Sequence, residues 1–290
     1  MSKTAFSQAF SRIIGITIAL NSCSASHVTQ PGFPTSPPRE PVKPSLQDEW
    51  VPKQAPGTRQ YLIEDSATIF IGNDSTHTSL LQTATWYSLS LIALADSFSF
   101  TTKIDSMSTS SHTSLTKNGV DSSSSRTIHA TFSSNGEMSA LIGEAPSSCQ
   151  RGVDATAMRV FELTQNYPKK SIRVGDRWAD TVSGTSCRGR IPLYQQSIHE
   201  YQLLELINWK DHDVAKIQRN VSTVITGTSF ESQNHLTVTG SGVGSMIFYA
   251  DRITGFLHES DSHSKSRLTI NTSRGSYSFT QTITTHIEIR

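Results

Sequence analysis

From Gln196 to Arg290 the chain reads as a succession of long two-residue alternations, each broken by turn-forming residues. Successive side chains leave a strand on opposite sides, so a period of two marks a strand with one face buried and one face wet. Candidate strands run over Gln196–Asn208, Asp213–Thr228, Asn234–Tyr249, Phe256–Ile270 and Ser276–Arg290. Between them stand Lys210-Asp211-His212, the run Asp251 to Gly255 and the run Asn271 to Gly275, all with turn chemistry. In the last strand Tyr277, Phe279, Ile283, Ile287 and Ile289 share one side, and Ser278, Thr280, Thr282, Thr284 and His286 share the other. These strands exceed the usual length of about 5–6 residues, and a meander of such strands must curl or close on itself.

The alternation begins near Tyr61. Tyr87, Leu89, Leu91 and Ala93 alternate with Ser88, Ser90 and Ile92, and Ile128, Ala130 and Phe132 alternate with Thr127, His129 and Thr131. Ser106 to Ser125 is a Ser/Thr-rich stretch carrying the turn signal Asn118-Gly119, and a second Asn-Gly stands at Asn135-Gly136. Only Val153 to Asn166 departs from period two. Val153, Ala157, Val160 and Phe161 recur at helical spacing, Asp154 lies near the start, and Pro168 follows the end. The expected fold is mainly β: a curved antiparallel meander, half-barrel or barrel, with one helix over 153–166 covering an open side.

Composition agrees. Charged residues are 17% of the 290 and the net charge is +1, against an ordinary charged share of about 25%. Ser and Thr fill the difference, which suits strands with a hydroxyl-rich wet face. No Lys/Arg stripe marks a nucleic-acid binder.

The first residues read as an export signal over 1–22. Lys3 and Arg12 precede the apolar run Ile13 to Leu20, which falls well short of the roughly 20 residues that span a bilayer. Leu20-Asn21-Ser22-Cys23 resembles the bacterial lipobox: Leu20 and Ser22 fit, and Asn21 departs from the usual small residue. Lipidation at Cys23 would anchor the protein in a membrane, since more than one acyl chain holds stably. Ser24, where Asp would signal inner-membrane retention, favours the outer membrane. Ordinary cleavage after Ala25 would instead leave a secreted or periplasmic protein. From Cys23 to Pro56 the chain carries eight prolines, Pro31, Pro34, Pro37, Pro38, Pro41, Pro44, Pro52 and Pro56, and reads as a semi-rigid tether. Residues 57–290 read as a single β-rich domain. Of the three cysteines, Cys149 and Cys187 remain, and an oxidising compartment favours their pairing.

Val174-Gly175-Asp176-Arg177-Trp178 resembles the Val-Gly-Asp-x-Trp element of uncharacterised bacterial envelope lipoproteins, in which a β-rich meander follows. Tyr249-Ala250-Asp251-Arg252-Ile253-Thr254-Gly255 is similar to a turn segment of the same proteins. The resemblance implies an exported β-fold with no established activity, distantly similar to curved-sheet carriers that hold acyl chains in envelopes. Read physically, Gly175-Asp176 is a turn and Trp178 a core anchor.

No motif selects catalysis or a cofactor. The ten histidines are scattered. His258 and His263, with Glu259 and Asp261 between, fall on opposite faces of a strand, so a solvated face is favoured over zinc. Gly240-Ser241-Gly242-Val243-Gly244-Ser245 lies in strand context, where the glycines would permit a bulge or sharp coiling. Glu64 and Asp65 would point apart. The expectation is a non-enzymatic envelope lipoprotein that binds an apolar or amphipathic ligand within the curved sheet. The alternatives are a module docking another envelope protein and a hydrolase with an unrecognised site.

Overall fold

The long alternations pair in series. The computed structural model describes residues 49–52, 55–71, 78–93, 97–113, 117–122, 126–133, 138–141, 163, 167–188, 191–231, 234–273 and 275–290. The strands are β1 (Glu49–Trp50), β2 (Gly57–Ile71), β3 (Thr78–Ala93), β4 (Ser97–Thr113), β5 (Lys117–Ser122), β6 (Arg126–Ser133), β7 (Met138–Leu141), β8 (Ile172–Arg173), β9 (Arg177–Arg188), β10 (Ile191–Trp209), β11 (His212–Glu231), β12 (Asn234–Asp251), β13 (Leu257–Thr272) and β14 (Gly275–Ile289). Twelve of them form one sheet in the order β7-β6-β4-β3-β2-β14-β13-β12-β11-β10-β9, with β5 on β4. All its pairs are antiparallel. The last strand therefore lies beside the first long one, with β14 between β2 and β13. The edge strands β7 and β9 come within 8 Å of each other, so the meander curls as its strand lengths require.

Local chemistry fixes the turns at one end. Lys210 and Asp211 both have positive φ, 50° and 66°, which suits a tight two-residue hairpin whose twist matches the strands. Asp251 Oδ1 accepts from the backbone N–H of Ile253 (3.0 Å) and Thr254 (2.7 Å), and Gly255 adopts φ 73°. Before β9, Gly175 at φ 94° donates its N–H to Leu203 O at 2.7 Å, and Asp176 Oδ2 accepts from Arg173 N at 2.8 Å. The turn reading of Gly175-Asp176 holds. Trp178 stacks on Tyr201 with ring centres 5.2 Å apart and packs against the core, as an anchor should.

The main core fills this same end. Tyr61, Ile63, Tyr87, Leu89, Leu203, Ile217, Phe248, Phe256 and Ile287 belong to it. The short β1–β8 pair closes over it. Trp50 of β1 is buried, donates Nε1–H to Arg252 O at 2.9 Å and meets Tyr167 edge-on at 5.2 Å. The folded part thus reaches back to Glu49, inside the stretch read as tether.

Several expectations fall elsewhere. The signal over 1–22, Cys23 and most of the tether lie outside the described residues. Of the expected helix over 153–166, the described residues include only Leu163, which is helical and buried in the main core. The expected Cys149–Cys187 pairing falls outside the described residues with Cys149, and Cys187 sits on β9 opposite Pro192. Asn118-Gly119 lies within β5 rather than in a turn. The glycines of β12 mark no bulge, because both its ladders run unbroken from Gly240 to Ser245 and the shift comes at Tyr249/Ala250. Gly240 serves close approach instead: a Cβ there would lie 2.6 Å from Leu268 Cδ2.

Candidate functional site

The inner face of the sheet changes character along the strands. Beyond the main core, a second apolar cluster joins Ile69, Leu193, Ile225, Val238, Leu268, Ile270 and Phe279. Between the two lies a belt of buried polar side chains: Asp65, Thr83, Thr85, Ser197, His199, Arg219, Thr223, Ser264, Ser266, Gln281 and Thr285. Strand register brings them together in rungs across the sheet. One rung runs Tyr201, Arg219, Met246, Ser262, Thr285, Asp65, Thr83, and the next runs His199, Val221, Gly244, Ser264, Ile283. A third runs Ser197, Thr223, Gly242, Ser266, Gln281.

At the β9–β10 side the belt carries a bonded group. Asp180 and His199 are register partners, and His199 Nδ1 lies 3.1 Å from Asp180 Oδ1 and 3.2 Å from the Tyr201 hydroxyl. The Tyr201 hydroxyl donates to Asp180 Oδ2 at 3.5 Å. Burial, and then the Asp180 carboxylate, push the Tyr201 phenol well above its ordinary range. It therefore stays protonated and serves as a hydrogen-bond donor. Ser197 shares this face, but its hydroxyl is engaged by Thr223 Oγ1 at 2.6 Å and by Gln195 Nε2 at 3.3 Å. The Asp–His pair is thus not extended to that serine as a nucleophile would require.

On β14 and β2, Thr285 donates its hydroxyl to Asp65 Oδ1 at 2.7 Å. Glu64 is exposed while Asp65 is buried, so the two carboxylates do point apart. Most of the belt is closed to solvent, but Val221 and Ser262, both directed inward, remain partly accessible. The middle of the inner face is therefore reachable where the main core is not.

The outer face bears a separate charged group. Glu259, Asp261 and His286 bring ligand atoms within 4.8 Å of one another. His286 Nδ1 lies 2.8 Å from Asp261 Oδ1, and Lys210 Nζ donates to Glu259 Oε2 at 2.6 Å. These contacts tie the group together across β13, β14 and the β10–β11 turn. Its histidine is His286 on the neighbouring strand, not His258 or His263, because pairing across strands is invisible to spacing along one. His258 instead meets His212 edge-on at 4.2 Å.

Glu259 supplies a pH prediction. Burial works to raise its pKa, yet the bonds from Lys210 and the Trp209 indole hold it below 4.5. A carboxyl with a lower pKa folded than unfolded stabilises the fold above its unfolded pKa, and that contribution is lost as pH falls through the folded value. Stability of the native protein should drop on acidification below about pH 4.5, and Glu259→Gln should flatten that part of the curve. Urea midpoints over the range, showing the same slope in both proteins, would refute this.

No family model matches the chain, and no curated protein matches it. Among solved structures, it shares 6% identity and a TM-score of 0.26 with OccK5 (OpdH) of Pseudomonas aeruginosa, over 80% of this chain and 98% of that one. OccK7 (OpdD) of the same organism gives 8% identity and a TM-score of 0.19, over 80% and 99%. A DUF3598-family protein of unknown function from Nostoc punctiforme gives 12% and 0.09, over 78% and 94%. Scores this low carry no argument about architecture or role. The outward residues speak more directly. Lys216, Gln218, Asn220 and Ser222 on β11, and Glu259, Asp261, His263, Lys265 and Arg267 on β13, alternate with the buried ones. A membrane barrel shows lipid an apolar outer band, whereas these outward positions of β11 and β13 are polar.

Proposed function

We propose that this chain is a non-enzymatic envelope protein, anchored through a lipid on Cys23 and a proline-rich tether, that holds an amphipathic ligand against the middle of its inner face. The observation that carries the reading is the belt itself. Hydroxyls and charged groups line the inside of the sheet between two apolar clusters, and Val221 and Ser262 within it stay partly accessible. A face that served only as core would have no need of so many polar groups, because burying each costs desolvation. The lipobox-like segment and the absence of Asp after Cys23 favour the outer membrane as the site of anchoring.

Fractionation and extraction test this together. The wild-type chain should sediment with membranes, and Cys23→Ala should move it to the soluble fraction. Mass spectrometry of an organic extract of the purified protein should find one amphiphile in near-stoichiometric amount. Membrane retention of Cys23→Ala would sink the anchor, and an empty extract would sink the ligand.

A second reading has one observation of its own. Tyr194, Ile198 and Val224 are exposed on the outer face of neighbouring β10 and β11, a patch that could dock another envelope protein. A photo-crosslinker at Ile198 in living cells should then give one dominant product, and a smear or none would reject it.

A further inference from the structure

The inner face is lowest along β12 and β13. Gly242 and Gly244 offer no side chain there, and Ser262, Ser264 and Ser266 beside them offer short ones. Phe248 bounds this strip on one side and Leu268 on the other, each in its own apolar cluster. Small residues alone would signify only close packing, as they do at Gly240. A second feature points to a ligand. The hydroxyl oxygens of Thr83 and Ser266 are buried, with the residues 5% and 3% exposed, and find no hydrogen-bond partner among the described residues. Ser260, at 0%, is in the same condition at the edge of the main core. Buried hydroxyls without partners cost stability, so Ser266 on β13, and Thr83 across the sheet on β3 at the far end of the Ser262 rung, call for something that bonds to them.

The charges of the belt narrow its chemistry. Asp65 and Asp180 are carboxylates, Arg219 is a cation, and His199 adds a second cation only when protonated. An anionic head would meet Asp65 on the same rung as Ser262, and a cationic head would meet Arg219. The hydroxyls, which both donate and accept, favour neither sign. We propose that the β12–β13 wall is a head-group subsite for an uncharged, hydroxyl-rich head, a glycoside rather than a phosphate or an ammonium. This assignment deepens the binding role proposed above and rests on it.

The test uses the full chain and three probes with one tail: octyl glucoside, octyl phosphate and octyltrimethylammonium, each below its micelle-forming concentration. Calorimetric titration should show the glucoside binding about tenfold more tightly than either charged probe. Ser266→Ala should weaken the glucoside about fivefold, the loss of one hydrogen bond. It should leave octanol binding and the thermal midpoint unharmed, because the hydroxyl removed has no partner in the protein. Equal affinity for the three heads, a charged probe binding best, or an unchanged glucoside affinity in Ser266→Ala would overturn the subsite while leaving the binding role standing. Failure of every probe, octanol included, with an empty extract, would overturn the role itself.

Discussion

Ile287→Asp is expected to leave the chain unfolded at room temperature, whereas Thr284→Asp three residues away is expected to change stability by no more than about 0.5 kcal/mol. Ile287 is 0% exposed and faces the main core. Its register partners are Ile63 on β2 and Ser260 on β13. The substitution removes an apolar side chain whose loss alone costs about 2–5 kcal/mol. It also buries a carboxylate among apolar neighbours, a further penalty of several kcal/mol. Domains are stable by only about 5–15 kcal/mol in total. The position magnifies the damage. The β14 strand is the seam through which the arm β2 to β7 joins the arm β9 to β13, so its loss parts the two. Thr284 is on the same strand but points outward, exposed, opposite His263 and Ser66. Circular dichroism and limited proteolysis distinguish the outcomes, and equal tolerance of the two variants would show that β14 does not hold the arms together.

That seam is the part of the fold that periodicity could not supply. The strand over Ser276–Arg290 is found at Gly275–Ile289, and that over Asn234–Tyr249 at Asn234–Asp251, because regular alternation with Asx, Lys and Gly turns constrains both ends locally. Nothing local says that β14 lies against β2, more than 200 positions earlier in the chain. The polar belt was hidden for another reason. Along β13, Ser260, Ser262, Ser264 and Ser266 face inward while Glu259, Asp261, Lys265 and Arg267 face outward. With polar residues on both sides, only Leu268 and Ile270 reveal the phase. Gln281 and Thr285 of β14 likewise share the buried face with Phe279, Ile283 and Ile287. In the Ser/Thr tract from Ser106, alternation vanishes altogether, so β4 runs on to Thr113 and β5 takes up Asn118-Gly119 unannounced. The Asp180–His199 pair depends on β9–β10 register, which spacing along either strand does not contain.

Phe248→Ala is expected to lower stability by about 3–5 kcal/mol, toward the upper part of that range. Phe248 is 0% exposed on the inner face of β12, between Ile217 on β11 and Ser260 on β13. A serine on one side supplies little volume, so the phenyl ring fills space that neither neighbour can reach. Alanine would leave that space open, and the cost of such a void grows with how little its surroundings collapse. For a β-domain of this size the thermal midpoint should fall by roughly 10 °C. Phe248→Leu keeps most of the volume and should cost far less. Ser260→Ala, on the same rung, should be neutral or slightly stabilising, since it removes a buried hydroxyl that lacks a partner among the described residues. Thermal melts of the three variants thus separate two kinds of position on one rung at the edge of the main core: a packed one, where volume decides stability, and a polar one, where fold stability is given up for something other than packing. A midpoint for Phe248→Ala within a few degrees of the wild type would mean that this end is not close-packed, and the contrast on which the ligand reading rests would disappear.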